Sequence, residues 1–364
     1  MSVERTVRLR FGHEARTAGT HTNLSAVRSD GPVLWVAGDE TATVERLVAD
    51  DPLDTVEFGD QTTYRLADLV DLPGPDVTEE ADVEGLARHG DFLWAVGSHS
   101  LRRRRIKARH SGDKALRRLA RVTGQANRQV LVRIPVAEVG GLPTLVRELE
   151  VGGTRHRAAV FGAHGTDLRD LLADDEHLAP FLPIPGKDNG LDVEGIAVAG
   201  PRVYLGLRGP VLRGWAVVLE LRPEVSAGSP GELVLRPFDD GRPYRKHVLS
   251  LDGLGVRDLC PHGADLLVLA GPTMDLDGPV HVYRWHGALT TEAPQVVRGE
   301  LLTREVVLSF GEGDDHAEGL GLVGPDEDPR LLVVYDSPAA GRLTADGCVT
   351  ADVVRLPPRD APPG

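Results

Sequence analysis

The chain has 364 residues, 41% of them hydrophobic, which is enough for a sizeable core, and its 42 glycines and 26 prolines favour many turns over long helices. A net charge of −14 argues against binding of polyanions by the surface as a whole. The first residues lack the apolar stretch of a secretory signal, and no later run approaches the roughly 18 apolar residues of a membrane span, so we expect a cytoplasmic protein without a membrane partner.

A four-residue motif recurs along the chain ahead of short apolar segments. Its copies are NLSA at 23–26, DVEG at 82–85, DVEG at 192–195, GVRD at 255–258 and HAEG at 316–319. Each copy reads as a short strand, a turn with Gly, Pro, Asp or His, a second strand and further strand-like segments, which is the content of a four-stranded propeller blade. Self-similarity at intervals of tens of residues is typical of such folds.

The spacing of the copies predicts an all-β fold, a single β-propeller domain that covers 1–364. Neighbouring copies lie near 60 residues apart, except for the 110 residues between Asp82 and Asp192. That interval contains a basic insertion near 101–128, helical between residues 113 and 122, and a second short helix near 167–178. What remains holds about three strands, whereas a further blade needs about six. Five blades are therefore favoured, and six are the alternative.

The N-terminal segment resembles a segment near the C-terminus. Residues 4–12 read ERTVRLRFG, and residues 303–311, just before the last motif, read TREVVLSFG. The N-terminal segment thus fits the outer strand of a blade that has been displaced to the front of the chain. We expect it to complete the last blade and close the ring, since closure removes exposed sheet edges.

The third residue of each motif is a candidate for one mouth of the central channel, because the first strand of each propeller blade lines the axis. These residues are Ser25, Glu84, Glu194, Arg257 and Glu318. Three converging glutamates raise one another's pKa and cannot all stay ionised without a partner. Arg257 offsets one charge and leaves roughly two, which suits a divalent cation held by oxygen ligands, with Ca²⁺ favoured because it accepts irregular geometry. The alternative is that Arg257 and backbone amides satisfy the carboxylates, which then act as ties between blades.

Other acidic and basic groups are expected at the same mouth. The metal-ligand candidates are Glu84, Glu194 and Glu318 together with Asp82 and Asp192. His99 leaves the second strand of its repeat on this face and is a candidate general base, and a hydrogen-bonded structural histidine is the alternative. Arg208 and Arg213 bracket a Gly-Pro turn and suit a phosphate or carboxylate, unless they pair with nearby acids instead. The substrate-binding candidates are Lys187, Asn189, Arg208, Arg213, Arg257 and Asp336.

The basic insertion near 101–128 carries eleven Arg or Lys residues and a single acid, Asp113. No aromatic residue interleaves these cations, which disfavours nucleic acid as a partner. A clamp over the acidic channel mouth is the preferred interpretation, and a solvated or self-pairing surface helix is the alternative.

Several phrases resemble a known family. They are KDNGLDVEG at 187–195, LGLRGPVLRGW at 205–215, GSHS at 97–100 followed by basic residues, and YDSP at 335–338. Over nearly its whole length the chain resembles the bacterial domain-of-unknown-function family 3616. More distantly, the Asp-x-Glu-Gly repeats are similar to phytase-like esterase propellers and to calcium-binding propellers, which implies hydrolase activity or Ca²⁺ by analogy. Ser25 and Arg257 stand where a full acidic ring would have Glu, which argues against a site for many calcium ions.

Two functions are expected from these residues. The first is a divalent-cation-dependent hydrolase of a phosphate or carboxylic ester, with Glu84, Glu194 and Glu318 around the metal, His99 as base and Arg208 on the anion. The alternative is a non-catalytic binding or scaffold propeller that recognises a small anionic ligand or a protein segment at the channel mouth. The standard nucleophile-elbow, Walker and His-Glu-x-x-His motifs do not occur in the sequence.

Overall fold

Strands dominate the computed structural model, which describes residues 3–51, 55–76, 78–162, 166–325 and 327–357. The elements of the first part of the chain are β1 (Val3–Arg10), α1 (His13–Ala18), β2 (Leu24–Asp30), β3 (Val33–Gly38), β4 (Thr43–Ala49), β5 (Glu57–Arg65), α2 (Leu66–Leu69), β6 (Val83–His89) and β7 (Phe92–Gly97). Most residues of β2, β3 and β6 are buried, and valine, leucine and alanine make up about half of each strand.

The middle of the chain adds short elements around the second sheet and the whole of the third. They are β8 (Arg102–Arg103), α3 (Gly112–Leu119), β9 (Val122–Thr123), β10 (Leu131–Val139), β11 (Leu142–Leu145), β12 (Glu148–Val151), β13 (Thr154–Arg157), β14 (Ala159–Phe161), α4 (Leu168–Leu171), β15 (Asp192–Ala199), β16 (Arg202–Gly209), β17 (Ala216–Leu221), β18 (Pro223–Val225), β19 (Leu233–Leu235) and β20 (Tyr244–Leu249).

The last third of the chain contains two further antiparallel units. Their strands are β21 (Gly255–His262), β22 (Asp265–Gly271), β23 (Val280–Trp285), β24 (Val296–Val297), β25 (Leu302–Leu308), β26 (His316–Val323), β27 (Arg330–Asp336) and β28 (Cys348–Arg355). No helix in the described ranges is long and apolar enough to span a bilayer.

The strand order is that of a β-propeller, and this fold prediction is confirmed. The hydrogen-bonded orders are β2-β3-β4-β5, β6-β7-β10 with β11 and β14 beyond, β15-β16-β17-β20-β24, β21-β22-β23-β25 and β26-β27-β28-β1. The first strands contact one another in the closed sequence β2, β6, β15, β21, β26 and back to β2. Each of these inner strands begins within or next to one copy of the motif, so the third residue of every copy lies on the channel.

The N-terminal strand joins the two ends of the ring. β1 pairs antiparallel with β28, from Val3 opposite Val354 to Arg10 opposite Cys348, and so supplies the outer strand of the last unit. Its other edge pairs in parallel with β5 of the first unit. The hydrophobic cores lie between adjacent sheets, as in other propellers.

Close packing of neighbouring inner strands explains the glycine that ends three of the motifs. A Cβ on Gly195 would lie 2.9 Å from the backbone nitrogen of Leu259 on the next inner strand, and one on Gly85 would lie 2.9 Å from the carbonyl oxygen of Glu194. On Gly319 it would lie 3.1 Å from the nitrogen of Val27. These distances leave no room for a side chain, so glycine lets adjacent strands approach and narrows the channel.

Both predicted helices are present but shorter than expected. α3 ends at Leu119 instead of residue 122, because Val122 and Thr123 pair with Arg103 and Arg102 in a two-stranded ribbon. The helix expected over 167–178 is helical only at Leu168–Leu171, with a capping box at its start. It stops because the Asp175 carboxylate accepts hydrogen bonds from the backbone of residues 177 and 178 and turns the chain.

Candidate functional site

The channel is closed part-way along its axis by a buried ion pair. The Arg28 guanidinium donates to both carboxylate oxygens of Asp258, at 2.8 and 2.7 Å. Arg28 also donates to the carbonyls of Val27, Ile196, Leu259 and Leu320, which belong to four inner strands. All four carbonyls lie two residues beyond a third motif position, so the pair forms a floor beneath the ring of motif side chains.

Above the floor lies a group of buried acids and arginines that we call the cup. Its members are Asp39, Asp82, Glu84, Asp192, Glu194 and Glu318, with Arg128, Arg208 and Arg257. Ser25, the third residue of the first motif copy, donates its hydroxyl to the carbonyl of Val83 on the neighbouring strand. It completes the ring that the third residues of the five copies form. Inner strands carry the glutamates, Asp192 and Arg257, and β16 carries Arg208. Asp39 follows β3, Asp82 precedes β6, and Arg128 precedes β10.

Two of the three ring glutamates are neutralised by arginine. Arg208 donates to Glu194 at 2.8 Å. Arg257 lies between Glu194 and Glu318, with its Nη1 3.3 Å from the first and 2.5 Å from the second. Burial nevertheless raises the pKa of Glu318 to about 8, against the opposing effect of Arg257. On this side of the cup, therefore, the carboxylates act at least in part as ties between strands.

Asp82 is held by Arg128, which reaches in from the end of the basic insertion. The Arg128 guanidinium pairs with the Asp82 carboxylate and also donates to the hydroxyls of Ser98 and Ser100. Burial lowers the pKa of Arg128 to about 10, which still leaves it charged at neutral pH. Asp192 lies 4.0 Å from Arg208, and burial and the nearby Glu194 raise its pKa to about 6.

Glu84 is the exception in the ring, because it has neither a hydrogen bond nor an ion pair among the described residues. The residue is 9% exposed and lies between Ser25 and Glu194 in the ring order. Burial raises its pKa well above the usual value, and Glu194, Asp39 and Glu318 raise it further. A buried carboxylate with no partner is costly, so this position favours either a proton or a bound cation.

Asp39 and Asp82 lie beside Glu84 and complete a set of oxygen ligands. One carboxylate oxygen from each residue lies within 4.8 Å of the other two. Asp39 leaves the second strand of the first unit, and one of its oxygens is buried without a hydrogen-bond partner. Burial and the charge of Asp336 raise the pKa of Asp39 to about 6. Three clustered carboxylates, two of them lacking a cation, fit the oxygen ligands that Ca²⁺ prefers.

His99 is buried at the edge of the site, and its ring lies away from the cup acids. Both ring nitrogens lack a hydrogen-bond partner in the described part of the chain. Burial, followed by the charge of the nearby Arg169, lowers the pKa of His99 to about 3, and Arg169 donates to the His99 carbonyl. His99 is thus a neutral imidazole at neutral pH, and the charges that act on it come from Arg169 and not from the glutamates.

The remaining substrate-binding candidates lie in different places. Lys187 is exposed above the cup, where its charge acts on Asp39 and Asp192. Asn189 accepts a hydrogen bond from the backbone of Val211 and stabilises that loop. Asp336 lies 4.0 Å from His316 at the rim. Arg213 is exposed on the turn after β16 and has no partner among the described residues.

The basic insertion lies over the rim of the cup. Arg102 pairs with Glu80, Arg103 donates to Asp188 at 2.6 Å, and Arg105 lies 3.0 Å from Asp275. These three acids come from three separate loops around the mouth. Lys187 lies 4.0 Å from the same Asp275.

Sequence reasoning missed several residues of the site. The motif assigns no ligand role to Asp39, although this residue follows a second strand as His99 does. Arg128 was counted with the insertion, and nothing in its spacing indicates that it turns back to Asp82. For the floor there was one signal: Asp258 occupies the motif position that is Gly or Ala in the other four copies.

These features define a β-propeller with an acidic cup at one end of a channel that is closed by a floor. Residues 23–352 match the family described as "Protein of unknown function (DUF3616)", and the chain belongs to this family. No curated protein matches it in sequence.

Solved structures with similar folds include several kinds of protein. Glutaminyl cyclase of Myxococcus xanthus aligns with a TM-score of 0.43 at 10% identity, over 99% of this chain and 97% of that one. The allergen Mala s 1 of Malassezia sympodialis aligns with a TM-score of 0.42 at 8% identity, over 98% and 97%. An engineered GH43 glycoside hydrolase gives 0.40 at 13% identity, over 95% and 56%. The neighbours thus include enzymes, but likenesses this distant carry no argument about activity.

Proposed function

We propose that the cup binds a divalent cation, Ca²⁺ first, through Asp39, Asp82 and Glu84, and that the loaded cup hydrolyses a phosphate or carboxylic ester. The observation that carries the cation site is the unpartnered, buried carboxylate of Glu84 next to two further carboxylates. A bound cation would supply the opposite charge that these groups lack and, during hydrolysis, would polarise the ester and acidify a bound water.

The other cup residues are assigned supporting roles. Glu194 and Glu318, expected from the sequence as ligands, are already bonded to Arg208 and Arg257, so we assign them to holding these arginines at the mouth. Arg128 does the same for Asp82 and fixes its carboxylate beside Glu84. An anionic ester would meet Lys187 at the rim before it reached the cup.

Non-catalytic binding of a small anionic ligand is the second candidate, and one observation favours it. The expected base, His99, is a neutral, buried imidazole, and the charge that acts on it is that of Arg169. His99 is therefore not available to the cup as a general base. A cup that holds a cation and an anion without such a group fits binding as well as hydrolysis.

The test is calcium titration calorimetry on metal-free protein, with Glu84→Gln as the variant and Glu138→Gln as the control. Glu138 is an exposed acid on the β10–β11 hairpin. We expect wild type and Glu138→Gln to bind Ca²⁺ and Glu84→Gln to bind it at least tenfold more weakly. Absence of calcium binding by wild type would overturn the proposal.

Hydrolysis is tested separately with p-nitrophenyl phosphate and p-nitrophenyl acetate, with CaCl₂ or with EDTA. Turnover that EDTA and Glu84→Gln both abolish supports the hydrolase. Calcium binding without turnover of either ester supports the binding protein.

A further inference from the structure

The helix of the basic insertion has an apolar face that no described residue covers. α3 buries none of its eight side chains. Leu116 is 65% exposed and Leu119 is 39% exposed. A helix of this length is marginal in water and normally depends on packing of its apolar face. An uncovered leucine pair on such a short helix therefore indicates a partner surface.

The apolar and basic residues of α3 lie on opposite faces. With about 3.6 residues per turn, Ala115, Leu116 and Leu119 fall on one side of the helix, and Lys114 and Arg117 fall on the other. Two further apolar side chains that precede and follow the helix in the chain, Ile106 and Val122, are also exposed. Leucines on one face and cations on the other are typical of helices that lie in a membrane interface.

The cations of the insertion divide into two groups. Those nearest the propeller pair with acids of the cup rim, as described above. The outer ones form no ion pair with a described acid; they are Arg104, Lys107, Arg109, Lys114, Arg117, Arg118 and Arg121. The insertion has an excess of ten positive charges, so the rest of the chain carries about −24 against −14 for the whole. This part of the surface is therefore complementary to a negative partner, whereas the rest of the chain has a negative net charge.

We propose that the outer face of the insertion binds the surface of an anionic lipid bilayer. The contact is peripheral and needs no spanning segment, so it does not conflict with the lack of one, although the sequence alone predicts no membrane partner. Leu116 and Leu119 would enter the boundary between headgroups and acyl chains, and the unpaired cations would remain among the headgroups. The negative remainder of the surface is repelled, which orients the mouth of the cup toward the lipid.

Other macromolecules match this face less well. A stable protein interface buries about 800 Å² on each partner, and two turns of helix with two leucines provide only a fraction of that area. Nucleic acid would use the cations but leaves the leucines without a role, and the insertion has no aromatic side chain to stack on bases. An anionic bilayer uses both faces of the helix.

The test is co-sedimentation of the full-length protein with vesicles of phosphatidylcholine alone and with vesicles of about 3:7 phosphatidylserine to phosphatidylcholine. We expect binding only to the second kind. The double variant Arg117→Gln/Arg121→Gln should lower the partition coefficient about 30-fold, because each cation near such a surface contributes about fivefold. Leu116→Ser should lower it about tenfold.

Matched controls remove two exposed cations elsewhere, with Arg236→Gln/Arg298→Gln, and should leave vesicle binding unchanged. All these side chains are exposed, so the melting temperature of each variant should equal that of wild type. Equal binding to both kinds of vesicle, or none, overturns the proposal. So does binding that Leu116→Ser does not weaken and that duplex DNA displaces, since that result assigns the insertion to polyanions in general. The proposal does not depend on a cation in the cup.

Discussion

Replacement of Asp39 by Asn should stabilise the metal-free protein and remove most of the stabilisation that calcium gives. In the native state the pKa of Asp39 is raised to about 6 from 3.8, by burial and by Asp336. Between these values the native protein holds a proton that the unfolded chain has released, so the free energy of unfolding falls as pH rises. Two pH units at about 1.4 kcal/mol each give an upper limit of about 3 kcal/mol at pH 8.

Asn keeps the shape of the side chain and removes this cost. For 364 residues the unfolding entropy is about 0.8 kcal/mol per kelvin, so Asp39→Asn should raise the melting temperature by up to about 4 °C in EDTA at pH 8 and hardly at all at pH 4. Calcium at about 100 times its dissociation constant adds about 2.7 kcal/mol to wild type, and most of this gain is lost in the variant. The higher melting temperature of the variant in EDTA should therefore largely disappear when EDTA is replaced by CaCl₂.

Differential scanning calorimetry at pH 4 and pH 8, in EDTA and in CaCl₂, measures all these quantities. Asp174→Asn is the matched control, since Asp174 is exposed and has no partner among the described residues, and it should change neither melting temperature. A lower melting temperature for Asp39→Asn in both solutions would refute the reasoning, because it would make Asp39 a structural tie instead of a ligand. So would a wild type whose melting temperature is unchanged by calcium.

Three further outcomes are expected. Arg28→Leu should lower the free energy of unfolding by about 3–5 kcal/mol in urea titration, because it leaves the buried Asp258 charge without its partner; a change below 1 kcal/mol would contradict this. Gly195→Ala should cost about 1–3 kcal/mol, whereas Gly228→Ala, where a Cβ meets nothing within 4 Å, should cost less than about 0.5 kcal/mol; equal effects would argue against close packing of the inner strands. The His99 imidazole, with a pKa of about 3, should show no NMR titration between pH 5 and 8, and a midpoint near 6.5 would place it in a different environment.

The fold could be predicted because the motif is tied to geometry. Glycine at the fourth motif position allows the close approach of the next inner strand in three of the five copies, and the glutamate before it then faces the channel. The similarity of residues 4–12 to residues 303–311 also reflects geometry, because β1 and β25 are both outer strands of their units. Helix lengths were less accurate, because the ends of α3 and α4 depend on a ribbon pairing and on one aspartate side chain.

The pairing within the cup could not be predicted, because it depends on long side chains whose reach is not encoded in spacing. Nothing in the motif indicates that Arg257 bridges Glu194 and Glu318 while Glu84 is left alone. Arg128 and Asp82 are 46 residues apart and meet only because the insertion returns to the rim. Sequence reasoning therefore identified the acids but not which of them lack a partner. A carboxylate without a partner can bind a cation, whereas one that is bonded to arginine connects two strands.

The floor made by Arg28 and Asp258 determines how a ligand could reach the cup. The guanidinium is bonded to carbonyls of four inner strands and blocks the channel along its axis, so the cup is open only at its mouth. Whatever reaches Glu84 has entered past the insertion and leaves the same way. A ligand in the cup would therefore have to leave past the insertion before another could enter.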